Sequence, residues 1–146
     1  MTETDLMELA GRCEKLEGPC RETDAEITRG IMPELKLHRI GRDWFCEASV
    51  YSGPVDITGY TASIDAAMSL VPEGWNWMTG NRDLPLARAY VNNGQPHFTG
   101  MAARKNPANI WHAVVAATPA IALTAAALRA RASLSRLSPP NEVKHG

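Results

Sequence analysis

The chain has 146 residues, 45% hydrophobic and 21% charged. That is the length of one ordinary domain and a composition able to bury a core, which excludes disordered, collagen-like and fibrous classes. The formal net charge of −1 gives no overall attraction to nucleic acid or to an anionic membrane.

The charge is uneven along the chain. Residues 1–60 carry 7 Lys and Arg against 12 Asp and Glu, a net of −5, and residues 61–146 carry 8 against 4, a net of +4. Either the acidic and basic ends attract each other, within one molecule or between two, or solvated helix faces simply differ in sign. Residues 1–5 are polar and acidic, unlike the basic start and apolar run of a signal peptide. The most apolar stretch, 112–132, is interrupted by Thr118-Pro119 and relies on alanine, which makes a poor membrane span. Three cysteines without a leader are expected as free thiols of a reducing cytosol.

Leu6, Leu9, Ala10, Cys13 and Leu16 recur at helical spacing and predict a helix over about residues 4–17. Gly18 and Pro19 predict a tight elbow, with Gly18 left-handed past one helix end and Pro19 opening the next helix. That second helix shows Cys20, Thr23, Ile27 and Ile31 on one side and ends near Gly30 or Pro33. Residues 35–40 and 44–51 mix β-branched, aromatic and polar residues and predict two strands around a turn at 41–43, followed by a turn-rich stretch over 52–59. Thr61 offers an N-cap to a helix reaching about Val71, with Ile64, Ala67, Met68 and Val71 facing inward. Residues 74–79 and 86–92 read as strands around a turn at 81–83, and 111–116 as a further strand.

The last helix has the clearest start in the chain. Thr118 is its N-cap and Pro119 its first residue, and seven of residues 120–132 are alanine, with an end between 132 and 137. At 100° per residue, Ile121, Ala125, Leu128 and Ala132 fall on one side, and Leu123, Ala127, Ala130, Leu134 and Leu137 on nearly the opposite side. Both faces are apolar, so the helix needs two partners: the sheet, and either the N-terminal helices or another subunit. Residues 138–146 read as a flexible tail after a single domain over 1–137. The stretch 92–109 is irregular for its length, and structureless stretches of that size are commonly functional. It carries His97, Phe98, Arg104 and Lys105.

Three blocks carry a family resemblance. They are Leu16-Glu17-Gly18-Pro19 with Arg21-Glu22-Thr23-Asp24-Ala25-Glu26-Ile27, then Tyr60-Thr61-Ala62-Ser63-Ile64-Asp65-Ala66-Ala67 with Leu70-Val71-Pro72-Glu73-Gly74-Trp75, and last Ala117-Thr118-Pro119-Ala120-Ile121-Ala122-Leu123 with Ala127-Leu128-Arg129-Ala130. Over about a third of the chain the sequence resembles the phage ABA-sandwich family, small phage and prophage proteins. The resemblance implies an α/β/α sandwich and a phage origin. It implies no activity, since the family has no established one.

The chemistry-bearing residues do not assemble into familiar motifs. Structural zinc needs paired ligands two to four residues apart, whereas Cys13 and Cys20 are seven apart, Cys46 is solitary and no two histidines are close. Cys46 and His38 face each other in one register of the proposed hairpin, but no nucleophile elbow accompanies them. Neither a phosphate-binding loop nor a dinucleotide fingerprint is present. Trp75 and Trp77 are expected on one strand face, joined by Trp44 and Trp111 in an aromatic core cluster. From residue 61 the order helix, three strands, helix is that of double-stranded-RNA-binding domains, yet the start of the last helix holds Ala120, Ile121 and Ala122 where such domains place lysines.

The expected fold is therefore α/β (α+β): an α/β/α sandwich with an antiparallel sheet of three to five strands and helices on both faces. The expected function is non-enzymatic. It is that of a phage accessory protein that binds another protein, host or phage, in the host cytoplasm or carried in the virion, with antagonism of a host defence system as a narrower form. The expected partner-binding residues are His97, Phe98, Arg104, Lys105, Leu134 and Leu137. No catalytic residue, metal, cofactor or membrane contact is expected. A homo-oligomeric scaffolding component joined through the last helix is one alternative, and a nucleic-acid binder is the other.

Overall fold

A computed structural model describes residues 2–47, 54–80, 86–92 and 111–137. In chain order it shows α1 (Glu3–Glu14), α2 (Arg21–Ile31), β1 (Leu37–Ile40), β2 (Asp43–Glu47), β3 (Pro54–Asp56), α3 (Ile64–Met68), β4 (Asn76–Gly80), β5 (Ala87–Asn92), β6 (Trp111–Ala116) and α4 (Pro119–Leu137). The strands form two antiparallel sheets, ordered β1-β2-β3 and β4-β5-β6.

The sequence of α1 closes its own first turn. Thr2 and Asp5 form a reciprocal capping box, which satisfies amides that would otherwise lack partners. Its buried stripe is Leu6, Leu9, Ala10 and Cys13, as the spacing predicts. The elbow differs from expectation. The helix ends at Glu14 with Lys15 as its C-cap, Cys20 is the N-cap of α2, and among described glycines only Gly41 and Gly74 have positive φ. Gly18 thus makes no left-handed cap, and Pro19 lies outside the helix it was expected to open.

Gly41 has φ +64° and is followed by Arg42 with negative φ, the sign pattern of a type II′ turn, so the Ile40–Asp43 pair is joined by a two-residue loop. The stretch read as turn-rich contains β3, which pairs with β2 in the register Phe45–Asp56 and Cys46–Val55.

Around α3 the capping residue is Ser63, whose Oγ accepts from the Ala66 amide. Thr61 is instead buried against α2. Its amide and hydroxyl each donate to Asp24 Oδ1 at 2.9 Å, and its Oγ1 accepts from the Cys20 amide at 2.8 Å. A buried carboxylate outcompetes a helix terminus for a hydroxyl because unpaired charge costs most where water is excluded. The helix is consequently only five residues long, with Ala67 buried and the expected inward Ile64 and Met68 exposed.

The inner face of the β4–β6 sheet consists of Ala87, Ala89 and Val91 on β5 and Val114 and Ala116 on β6, all buried. α4 packs across them, and α1 covers its opposite side. Residues 120–128 of α4 are buried all round, and alanines let both neighbours come close to the helix axis. This resolves the double apolar face: its second partner is α1 of the same molecule. Arg129 of α4 pairs with Glu14 of α1, one contact between the basic and acidic parts of the chain. On the other flank Arg131 Nε donates to the Leu70 carbonyl at 2.7 Å, with burial lowering the arginine's pKa.

The α+β class and the antiparallel three-stranded sheet agree with expectation. The layering is more particular. Among the described residues the helices lie on one face of the β4–β6 sheet, and the β1–β3 sheet packs on α2 around a second, smaller core of Ala25, Trp44, Cys46 and Ile57.

Candidate interaction surface

The outward side of the β4–β6 sheet is set by strand alternation. Residues opposite one another across three strands are Met78, Tyr90 and Ala113 in one row, and Gly80, Arg88 and Val115 in the next. Met78 is 53% exposed and Val115 42%, and Leu86, at the same parity just before β5, is 46% exposed. Arg88 Nη1 donates to the Tyr90 hydroxyl at 3.0 Å, which holds the one described charge of this face beside its aromatic ring. Large apolar side chains are thus grouped on one sheet face, with a polar pair among them.

Of the residues expected to bind a partner, His97, Phe98, Arg104 and Lys105 lie outside the described residues. Leu134 is 37% exposed near the end of α4, and the side chain of Leu137 lies outside the described residues. Of the expected set, only the side chain of Leu134 falls among the described residues. Sequence reading missed Met78, Leu86 and Val115 as a group, although the signal was present: in 86–91 and 111–116 apolar residues occupy both parities, and only one parity can face α4.

The other chemical candidates resolve individually. Leu37 pairs with Cys46 and His38 with Phe45, so alternation puts His38 and Cys46 on opposite faces of the hairpin. Cys13 is fully buried, and desolvation pushes its thiol up to about 12, which makes it a poor nucleophile. Among the described residues no three His, Cys, Asp or Glu side chains are placed to hold a metal ion.

The tryptophans do not form one cluster. Trp75 packs on the larger core, Trp44 belongs to the smaller one, and the side chain of Trp111 lies outside the described residues. Trp77 shares the inner face but is 39% exposed, since a helix about 10 Å wide spans only about two strands and covers edge strand β4 only in part, at Thr79, whose hydroxyl donates to the Pro119 carbonyl at 3.0 Å. The Trp44 ring is instead stacked by Arg29, whose guanidinium carbon lies 4.7 Å from the ring centroid.

Two features were not foreseen. His112 Nε2 lies 2.8 Å from Ser133 Oγ and ties β6 to the end of α4, where Ser133 also donates back to the Arg129 carbonyl. Between α1 and α2 lies a cleft of about 370 Å³ with both signs of charge, lined by Asp5, Glu8, Arg12, Glu26, Arg29, Gly30 and Pro33. Arg12 and Glu26 pair across it at 2.5 Å.

No protein-family model, no curated protein and no solved structure matches this chain. Among the described residues, no helix is long and apolar enough to cross a membrane.

Proposed function

We propose that this chain is a non-enzymatic phage accessory protein that acts by binding another protein, inside the host cell or carried in the virion, with antagonism of a host defence system as the narrower form. The phage origin rests on the three sequence blocks. The binding role rests on one observation, the outward apolar face formed by Met78, Leu86, Tyr90 and Val115. Such a face costs solubility, roughly 25 cal/mol for each Å² of apolar surface left in water, and is retained where a partner covers it. The separation of His38 from Cys46 and the burial of the Cys13 thiol favour binding over catalysis.

The test places a photo-crosslinking phenylalanine derivative at position 78 in bacteria expressing the full chain. A discrete crosslinked product that a second substitution, Val115→Lys, abolishes is expected. A chain that stays uncrosslinked at position 78 while crosslinking at a site elsewhere on its surface overturns the reading.

A nucleic-acid reading retains the order α3-β4-β5-β6-α4, which matches double-stranded-RNA-binding domains. Against it, Ala120, Ile121 and Ala122 at the start of α4 are buried, so the turn that would meet phosphates is turned inward. A gel shift at low salt, where phosphate contacts are strongest, is expected to show no retardation. The oligomer reading relied on the second face of α4, of which α1 covers the part up to about residue 130 while Leu134 stays exposed.

A further inference from the structure

We propose that the cleft between α1 and α2 binds a free basic amino acid of the lysine class, with the ligand's carboxylate on Arg29 and its two ammonium groups on Glu8 and Asp5. The site uses none of the outward residues of the β4–β6 sheet, so it stands whether or not that face binds a partner. Its volume of about 370 Å³ lies within the range of small-ligand sites and holds the roughly ten non-hydrogen atoms of such a molecule. Arg12 and Glu26 pair across the cleft at 2.5 Å. Counting from that pair back along α1 and forward along α2, Glu8 falls opposite Gly30 and Asp5 opposite Pro33, and all four line the cleft. Gly30 carries no side chain, which leaves the wall facing Glu8 open.

Arg29 selects the carboxylate. Its guanidinium lies 4.7 Å from the centroid of the Trp44 ring, so one flat face is occupied while the N–H edge stays available for a bidentate acceptor. Trp44 belongs to the smaller core, and a platform fixed there presets the cation before a ligand arrives. Three acids line the same cleft, yet among the described residues Arg29 pairs with none of them. Charge then selects the rest of the ligand. Asp5, Glu8 and Glu26 stand against Arg12 and Arg29, three negative charges against two positive, a net of −1. Arg12 and Glu26 cancel each other and leave two anions and one cation, which two ammonium groups and one carboxylate complement. Glu8 has no partner among the described residues, and Asp5 gives only Oδ2 to the Thr2 amide. The two acids are one turn apart on one helix face, with Cβ atoms about 5–6 Å apart, a separation that a four-carbon stem spans.

The test is an amide NMR titration of the full chain, at low salt because exposed charges are screened, with L-lysine, L-norleucine and 1,5-diaminopentane. Lysine is expected to shift the amides of Glu8, Arg29 and Gly30 saturably, with half-saturation near roughly 1 mM. Norleucine, which lacks the second ammonium, and diaminopentane, which lacks the carboxylate, should each bind about tenfold more weakly. Arg29→Gln should weaken lysine about tenfold and leave diaminopentane unchanged, whereas Glu8→Gln should weaken both. The three ligands are compared on the unaltered chain, so that part of the result is independent of how any variant folds. No saturable shift from lysine up to about 20 mM, diaminopentane or norleucine binding as tightly as lysine, or a folded Arg29→Gln chain with undiminished lysine affinity overturns the site.

Discussion

Arg21→Met should be strongly destabilising although Arg21 lies outside the apolar core. Asp24 is fully buried on α2, where its Oδ1 accepts twice from Thr61 and its Oδ2 lies 3.2 Å from Arg21 Nη1. The same guanidinium reaches Asp56 at 3.0 Å and the carbonyls of Ile57 and Trp44, so one side chain fastens α2 to both β2 and β3. Removing it strands a carboxylate away from water and unties the smaller core. Breaking a buried pair costs about 3–5 kcal/mol, and because Arg21 is 27% exposed the low end, about 3 kcal/mol, applies. Asp24→Ala leaves both Thr61 donors without their acceptor but lets Arg21 keep Asp43 and Asp56, for about 2–3 kcal/mol.

The two changes share one interaction, so the double variant should fall short of the sum of the singles by about 1–2 kcal/mol. Urea unfolding followed by tryptophan fluorescence reads all three, since Trp44 sits in the core concerned. With a slope of about 1.5 kcal/mol per molar, Arg21→Met should lower the midpoint by about 2 M. A loss under about 1 kcal/mol for Arg21→Met, or full additivity, would refute the claim that this pair holds the β1–β3 sheet in place.

Three further outcomes follow from the same packing. The unfolded Cys13 thiol ionises near 9.0 and the buried one holds its proton to about 12, so its contribution to stability is present below pH 9 and is lost as pH rises toward 12. Unfolding measured at pH 7 and pH 10 should show a loss of about 1.4 kcal/mol that Cys13→Ala removes, and native-state alkylation should label half-buried Cys20 well before Cys13. Ala126→Leu, where α4 is fully buried, should overpack the core and lower thermal stability by about 1–3 kcal/mol. Ser63→Ala should cost about 1 kcal/mol as a lost exposed cap, whereas Thr61→Val should cost about 2–3 kcal/mol because two buried partners lose a hydrogen bond; equal effects in chemical denaturation would contradict the assignment of roles.

What was legible in the sequence was whatever a local pattern determines. The stripe of α1, the Thr118-Pro119 start of α4 and the alternation of β5 and β6 follow from residue spacing alone, and the structure places them within a few residues of expectation. Errors cluster where a distant residue decides. Thr61 looks like a helix cap until Asp24, 37 positions away, takes its hydroxyl. Pro54–Asp56 looks like loop because a three-residue strand has no period of its own and exists by pairing with β2. The tryptophans look like one cluster because their number is visible and their assignment to two cores is not.

The same distinction explains why the exposed apolar face was hard to see. An apolar parity is ordinarily read as the core side, and β6 offers two apolar parities, with Val114 and Ala116 on one and Ala113 and Val115 on the other. Nothing in the strand itself says which one meets α4. The register does: Ala89 lies opposite Val114 and Ala87 opposite Ala116, which aligns the small residues under α4 and turns Met78, Tyr90 and Val115 outward. Alanine decides the matter, since a helix buried on all sides needs a floor of small side chains for its axis to approach. The larger apolar residues are thereby turned away from α4 and stay exposed. The identity of the inner face and the exposure of the outer one are two consequences of a single packing constraint, the close seating of α4 between the sheet and α1.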